Sequence, residues 1–145
     1  MSLLTDSDLR TKLCTVKGEE GNDKILIYPF SEDCLTPVGY DLRVGRLYSS
    51  SLHGGPFEID DKSRIQISHG DTVLITTQEE IGMPKNRSVS ALIMSKVSKV
   101  SKGLSHISTT IDPDWNGHLL IALNNYSRST IELAVGEAFC TAVFF

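Results

Sequence analysis

No apolar run in the 145 residues approaches the roughly 18 that a membrane-spanning helix needs. Residues 1 to 20 have no basic start followed by an apolar block, so neither secretion nor membrane insertion is expected and the expected location is cytoplasmic. Cysteine is scarce. Cys14, Cys34 and Cys140 are widely spaced with no C-x-x-C pair, the pattern of reduced and mostly buried thiols. His53, His69, His106 and His118 are as scattered, none at zinc-ligand spacing from a Cys or another His, so no resident metal is expected. A zinc deaminase, which needs H-x-E followed by P-C-x-x-C, is excluded. Positive charge is also short: 14 Lys plus Arg against 18 Asp plus Glu leave a formal charge of −4, which gives little support to non-specific binding of nucleic acid. A small phosphorylated ligand needs only a local cluster of cations and stays open.

What is present is an ordinary globular composition, 40% hydrophobic and 22% charged, without a Pro/Ser linker, a low-complexity tract or a long repeat. A single domain over 1–145 is expected, long enough to bury roughly two thirds of the surface of its unfolded chain. Leu4 to Leu13 reads as a short helix (4–14 at its widest). Thr5 is its N-cap, Asp8 stands three positions on as in a capping box, and Leu9 and Leu13 form one apolar stripe. Gly18 to Asp23 is a turn, and Ile25 to Tyr28 a strand stopped by Pro29.

From residue 25 on the pattern is β. Val38 to Val44, Phe57 to Ile59, Ile65 to Ile67, Thr72 to Thr77, Val89 to Met94, Ile107 to Ile111, His118 to Leu123, Thr130 to Leu133 and Glu137 to Phe145 are short runs rich in β-branched residues. Gly, Pro, Asn and Asp punctuate the gaps. Gly39 and Gly45 are read as tight turns bracketing a strand, and Gly70-Asp71 and Gly136-Glu137 as hairpin-like junctions. An all-β sandwich or barrel with one helix in front follows.

One segment stands out. In Ser95-Lys96-Val97-Ser98-Lys99-Val100-Ser101-Lys102-Gly103, lysines and serines both recur every third residue. On a helical turn they would share one side and could present a strip for phosphate. The alternative is a solvated basic connector between strands.

Several blocks in order carry a resemblance: the leading helix, Ile27-Tyr28-Pro29-Phe30, Leu35-Thr36-Pro37-Val38-Gly39-Tyr40-Asp41-Leu42-Arg43-Val44-Gly45, Gly70 to Glu79, Met83-Pro84, Ile111-Asp112-Pro113-Asp114-Trp115-Asn116-Gly117, and Leu133-Ala134-Val135-Gly136-Glu137. Together they resemble the dCTP deaminase and dUTPase superfamily, the deaminase branch more than the other. The resemblance implies a homotrimer of distorted β-sandwich or jelly-roll subunits with active sites at subunit interfaces. It also implies deoxynucleoside triphosphates (dCTP or dUTP) as ligands, Mg2+ carried on their phosphates, and no zinc. Asp112 would orient the sugar and the attacking water, and Trp115 would shape the sugar–base pocket. On the residues alone, Asp112 reads instead as an Asx-turn residue that only shapes its loop, and Trp115 as a half-buried packing residue.

The chain departs from that pattern in three places. The deaminase's catalytic glutamate, which helps activate water, falls on Ala122, and a methyl group moves no proton. The family's Arg-Ser-Ser phosphate segment falls on Met94-Ser95-Lys96 without gaps, with a further arginine replaced by Lys99. Aligned instead on Gly103-Leu104, it falls on Lys96-Val97-Ser98. The gapless register, with Ser95, Lys96 and Lys99 as phosphate residues, is preferred. Lysine keeps the charge of arginine but not its planar fork. The sequence stops at Phe145 without the closing tail of the enzymes, so a tail is expected to be absent. Two functional expectations stand side by side: a divergent enzyme of the dCTP deaminase type (or a dUTP diphosphatase), and an inactive trimeric homologue that binds nucleotide or serves structure.

Overall fold

The computed structural model describes residues 2–57, 64–106 and 109–145. In chain order its elements are helix α1 (Asp6–Lys12), strands β1 (Leu13–Cys14) and β2 (Ile25–Tyr28), a 3-10 turn (Glu32–Cys34), and strands β3 (Leu35–Thr36), β4 (Gly39–Ser50), β5 (Arg64–Ile67), β6 (Thr72–Gly82) and β7 (Ala91–Ser95). Helix α2 (Val97–Val100), β8 (Leu104–His106), β9 (Thr110–Ile111), β10 (Asn116–Asn125), β11 (Ile131–Ala134) and β12 (Ala138–Phe144) complete the chain. The protein is mostly β with a helix in front, as expected. The short α2 is a second helical element, on the Ser-Lys segment. Of the expected strands Phe57 to Ile59 and Ile107 to Ile111, residues 58–59 and 107–108 lie outside the described residues.

The start of α1 follows from its cap. The Thr5 backbone N–H and hydroxyl both donate to the Asp8 carboxylate, at 3.0 and 3.1 Å. Leu9 is fully buried beneath the helix. The helix is shorter than 4–14 because Leu13 is already extended and pairs with Ile25.

Ten strands form one sheet in the order β1-β2-β6-β4-β12-β7-β9, with β10 branching from β6, β8 from β10 and β3 from β4; β5 and β11 form a separate ribbon. All pairings are antiparallel except β1 with β2. Strand β4 joins the two halves of the large sheet. Its Tyr40–Arg43 stretch pairs with β12, its Val44–Ser50 stretch with β6, and irregularities in register flank Arg46 and Leu47–Ser49. One apolar cluster draws on all these groups, with Ile25, Leu42, Ile67, Ile75, Ile93, Leu133 and Phe144 fully buried in it. Each such side chain contributes about 1.5–3 kcal/mol.

The readings of Gly45 and of the two Gly-acid junctions are corrected. Gly39 opens β4 directly after the Pro37-Val38 turn, where Thr36 pairs with it across β3 and β4, but Gly45 does not turn the chain: it lies inside β4, and both glycines have ordinary φ. They are glycine because a Cβ at Gly39 would sit 2.2 Å from the Ala142 carbonyl oxygen, and one at Gly45 would sit 2.6 Å from that of Thr76. Strand β4 therefore runs on to Ser50. The Gly70-Asp71 and Gly136-Glu137 junctions are not hairpins either. Each carries the chain from the β5–β11 ribbon into the large sheet, with glycine at φ 77° and 92°.

Strand β6 also outruns its expected end at Thr77. Its alternation continues inward through Thr77, Glu79 and Ile81. Glu79 is tolerated there because Arg43 meets it twice, through its backbone N–H at 2.8 Å and its Nε at 2.5 Å. Arg43 in turn donates from Nη2 to the Pro29 carbonyl at 2.8 Å.

Candidate functional site

Strand β7 delivers Ser95 to an exposed end, where the chain turns into α2. The three-residue spacing puts Lys96 and Lys99 on the same side of that turn, and the side faces two carboxylates. Lys96 Nζ donates to Asp41 Oδ2 at 2.6 Å, while Thr141 Oγ1 donates to Asp41 Oδ1 at 2.7 Å. Lys99 Nζ donates to Glu137 Oε2 at 2.5 Å, and Glu137 Oε1 accepts the Ala134 N–H at 2.6 Å. Both ammonium groups are thus partly buried and clip α2 onto β4 and the β11–β12 junction. Lys102 is exposed and forms no ion pair among the described residues. Ser95 Oγ lies 2.7 Å from His106 Nδ1, and His106 Nε2 lies 2.9 Å from the Ile93 carbonyl.

Asp41, Glu137 and His106 were not singled out from the sequence. The signal for Asp41 is the register that sets it opposite Thr141 across β4 and β12, which becomes visible only once those strands are paired. His106 lies on a three-residue strand too short to show a period.

Asp112 and Trp115 form a second group. The Trp115 N–H donates to the Asp112 carbonyl at 3.1 Å, closing the turn around Pro113. Asp114 takes φ 73° inside it and pairs with Arg87 at 3.1 Å. The Asp112 carboxylate accepts from the Thr110 hydroxyl at 3.2 Å. Trp115 is 40% exposed and donates from Nε1 to the Gly117 carbonyl at 3.2 Å. With Thr109, Thr110, Leu119 and Leu120, the two line a cavity of about 180 Å³. The first and second groups do not meet. Ile111 pairs with Ala91 at one end of β7, and Ser95 closes the other end, about 13 Å away at ~3.3 Å per residue.

Ala122 sits on the outer side of β10, between buried Ile121 and Leu123, with Leu74 of β6 opposite. Its same-side neighbours on β10 are Leu120 and Asn124, and none of these brings a carboxylate. Further along the same side of β6, Glu80 is bound to Lys17 at 2.5 Å, a hydrogen bond that lowers its pKa. The thiols of Cys34 and Cys140 are buried, and burial pushes both pKa values up, so neither presents a thiolate. Among the described residues no group of three or more His, Cys, Asp or Glu is placed to hold a metal ion, and no helix is long and apolar enough to cross a membrane.

Comparison with known proteins shows what the chain resembles. The dCTP deaminase-like family model matches residues 15–145. A dCTP deaminase of Pyrococcus horikoshii is 35% identical over 121 residues, covering 83% of this chain and 75% of that protein. A probable deoxyuridine 5'-triphosphate nucleotidohydrolase of Sulfolobus islandicus rod-shaped virus 1 is 28% identical over 142 residues, covering 98% and 82%. The crystal structure of the 2'-deoxycytidine 5'-triphosphate deaminase of Agrobacterium tumefaciens matches 98% of this chain with a TM-score of 0.75 at 16% identity, a likeness of fold. This chain spans 47% of that one.

Proposed function

Because the chain belongs to the dCTP deaminase-like family, we propose that it binds a deoxynucleoside triphosphate, dCTP or dUTP, without efficient turnover. The observation that carries the reading is the gathering of Ser95, Lys96 and Lys99 at the open end of β7. Two ammonium groups and a hydroxyl there offer donors to phosphate oxygens, with each lysine acting as a point charge that would exchange its carboxylate partner for phosphate. Any magnesium arrives on the phosphates as part of the ligand. Asp112 and Trp115 take the sugar and base. Since the two groups stand apart within one chain, a complete site in this reading pairs the first group of one copy with the second group of another, in a homotrimer. Position 122 then presents a methyl where the family's water-activating glutamate belongs, which supports binding over catalysis.

The second reading is hydrolytic deamination of dCTP, favoured by the relatives of that name at 31–35% identity. One experiment separates the two. The protein is melted with dCTP, dUTP or dTTP and magnesium, and the same mixtures are analysed for dUTP, dUMP and ammonia. Ligand at a hundredfold excess over Kd adds about 2.7 kcal/mol, which for a chain of this size raises Tm by about 5–10 °C. No rise with any nucleotide overturns binding. Formation of dUTP from dCTP establishes the second reading in place of the first.

A further inference from the structure

The hydrogen bonds of His106 leave one proton position open. The Ile93 carbonyl can only accept, so Nε2, 2.9 Å away, carries a hydrogen in every state of the ring. The remaining variable is Nδ1, 2.7 Å from Ser95 Oγ. In the neutral imidazole Nδ1 is bare and Ser95 donates its O–H inward, so the serine offers an arriving ligand only lone pairs. In the imidazolium Nδ1–H donates to Ser95 Oγ, and the hydroxyl hydrogen is released to point outward. A phosphate oxygen is repelled by the first arrangement and bound by the second.

We propose that His106 is a positioning residue for phosphate: it sets the direction of the Ser95 hydroxyl hydrogen, so that the Ser95, Lys96 and Lys99 cluster takes a phosphate group most tightly when His106 is protonated. The inference rests on the nucleotide reading above and adds to it a residue and a proton. Strands β7 and β10 and helix α2 pack against β8. From β7 come Ser95 and then Lys96, whose charge is matched by Asp41. From α2 comes Lys99, matched by Glu137, with exposed Lys102 just beyond. Strand β10 sets uncharged Leu123 opposite His106, and β12 sets the Cys140 thiol opposite Ser95. The lysine charges nearest the ring are therefore already balanced within the chain, and the imidazolium supplies the added positive charge that a phosphate meets. By linkage, a bound phosphate favours protonated His106 to the same degree.

The test measures binding of dCTP and of inorganic tripolyphosphate by calorimetry between pH 8 and pH 5.5. The proteins are the wild type, Ser95→Ala and His106→Gln, which cannot gain the proton. His106→Gln reports the ligand's own titration. Relative to it, the wild type should bind both ligands on the order of tenfold tighter at the acid end, the worth of one hydrogen bond to a charged group, and Ser95→Ala, which keeps the ring but has no hydroxyl to turn, should lose most of that gain. As a measurement on the wild type alone, nitrogen NMR of His106 should show Nε2 protonated throughout and Nδ1 gaining a proton when dCTP is added at neutral pH. Binding with the same pH slope in all three proteins and an unchanged Nδ1 overturns this inference and leaves the nucleotide reading standing. A slope with dCTP but not tripolyphosphate overturns the phosphate assignment. No binding of either ligand at any pH overturns both.

Discussion

Replacing Arg43 by methionine tests what lets β6 run through its acidic stretch. The Glu79 side chain is 0% exposed and the Arg43 side chain 17% exposed, with Nε 2.5 Å from the carboxylate. Arg43→Met preserves most of the volume and the backbone N–H at 2.8 Å, but strands a buried carboxylate without its counter-charge. Breaking a buried pair from one side costs about 3–5 kcal/mol. At about 2–4 °C per kcal/mol for a domain of this size, Tm should fall by ~6–20 °C. Calorimetry or denaturant unfolding of Arg43→Met, Glu79→Gln and the double variant completes the cycle. The double variant should recover much of the loss, because the side-chain amide introduced by Glu79→Gln can still accept the backbone N–H and carries no charge. A single variant within about 1 kcal/mol of wild type, or a double variant no better than Arg43→Met, refutes the reasoning.

Asp71 is fully buried and accepts from the Ser50 and Ser51 hydroxyls at 2.6 and 2.9 Å and from the Leu52 N–H at 3.2 Å. Burial pushes its pKa up, but these hydrogen bonds outweigh burial and hold it below the ordinary 3.8. Its stabilisation is therefore full above the unfolded value and lost as pH falls through the depressed one. Asp71→Ala should cost at least about 2 kcal/mol at pH 7, and the part of that deficit owed to the carboxylate's charge should shrink at strongly acid pH, read from unfolding at several pH values. Ala122→Glu should bring dUTP and ammonia formation from dCTP above the wild-type level. A variant that binds nucleotide and still shows no turnover shows that position 122 is not the lesion.

The fold was legible where side-chain pattern decides it. The Thr5–Asp8 cap, the stop at Pro29 and the apolar runs at 65–67 and 118–123 all read correctly because each signal is local. The misses came where a distant partner overrode a local rule. Gly45 reads as a turn until Thr76 is seen against it, and the strand from Thr72 reads as ending at Thr77 until Arg43 is seen to meet Glu79 from 36 residues away. Strands of two or three residues, such as Leu13–Cys14, Leu35–Thr36 and Leu104–His106, are too short to show a period and exist only because a neighbour offers backbone partners. The lysine spacing was legible for the same local reason as the cap. Its counter-charges were not, since Asp41 lies 55 residues before Lys96 and Glu137 lies 38 after Lys99.

Those counter-charges change what lysine in place of arginine means. An arginine has five donors in a planar fork and can hold a carboxylate on one edge while offering the other to phosphate. An ammonium group concentrates its charge at one atom with three donors, so a phosphate approaching Lys96 or Lys99 competes with the carboxylate already there. On the proposed reading, ligand binding therefore draws on the same two ion pairs that fasten α2 to β4 and to the β11–β12 junction. Glu137 also holds the Ala134 N–H, and Asp41 the Thr141 hydroxyl, so loosening either lysine disturbs the strand ends behind it. Affinity gained from phosphate is offset by the weaker fastening of α2, and the proton on His106 tips that balance because it adds a positive charge that no carboxylate of the described residues has claimed.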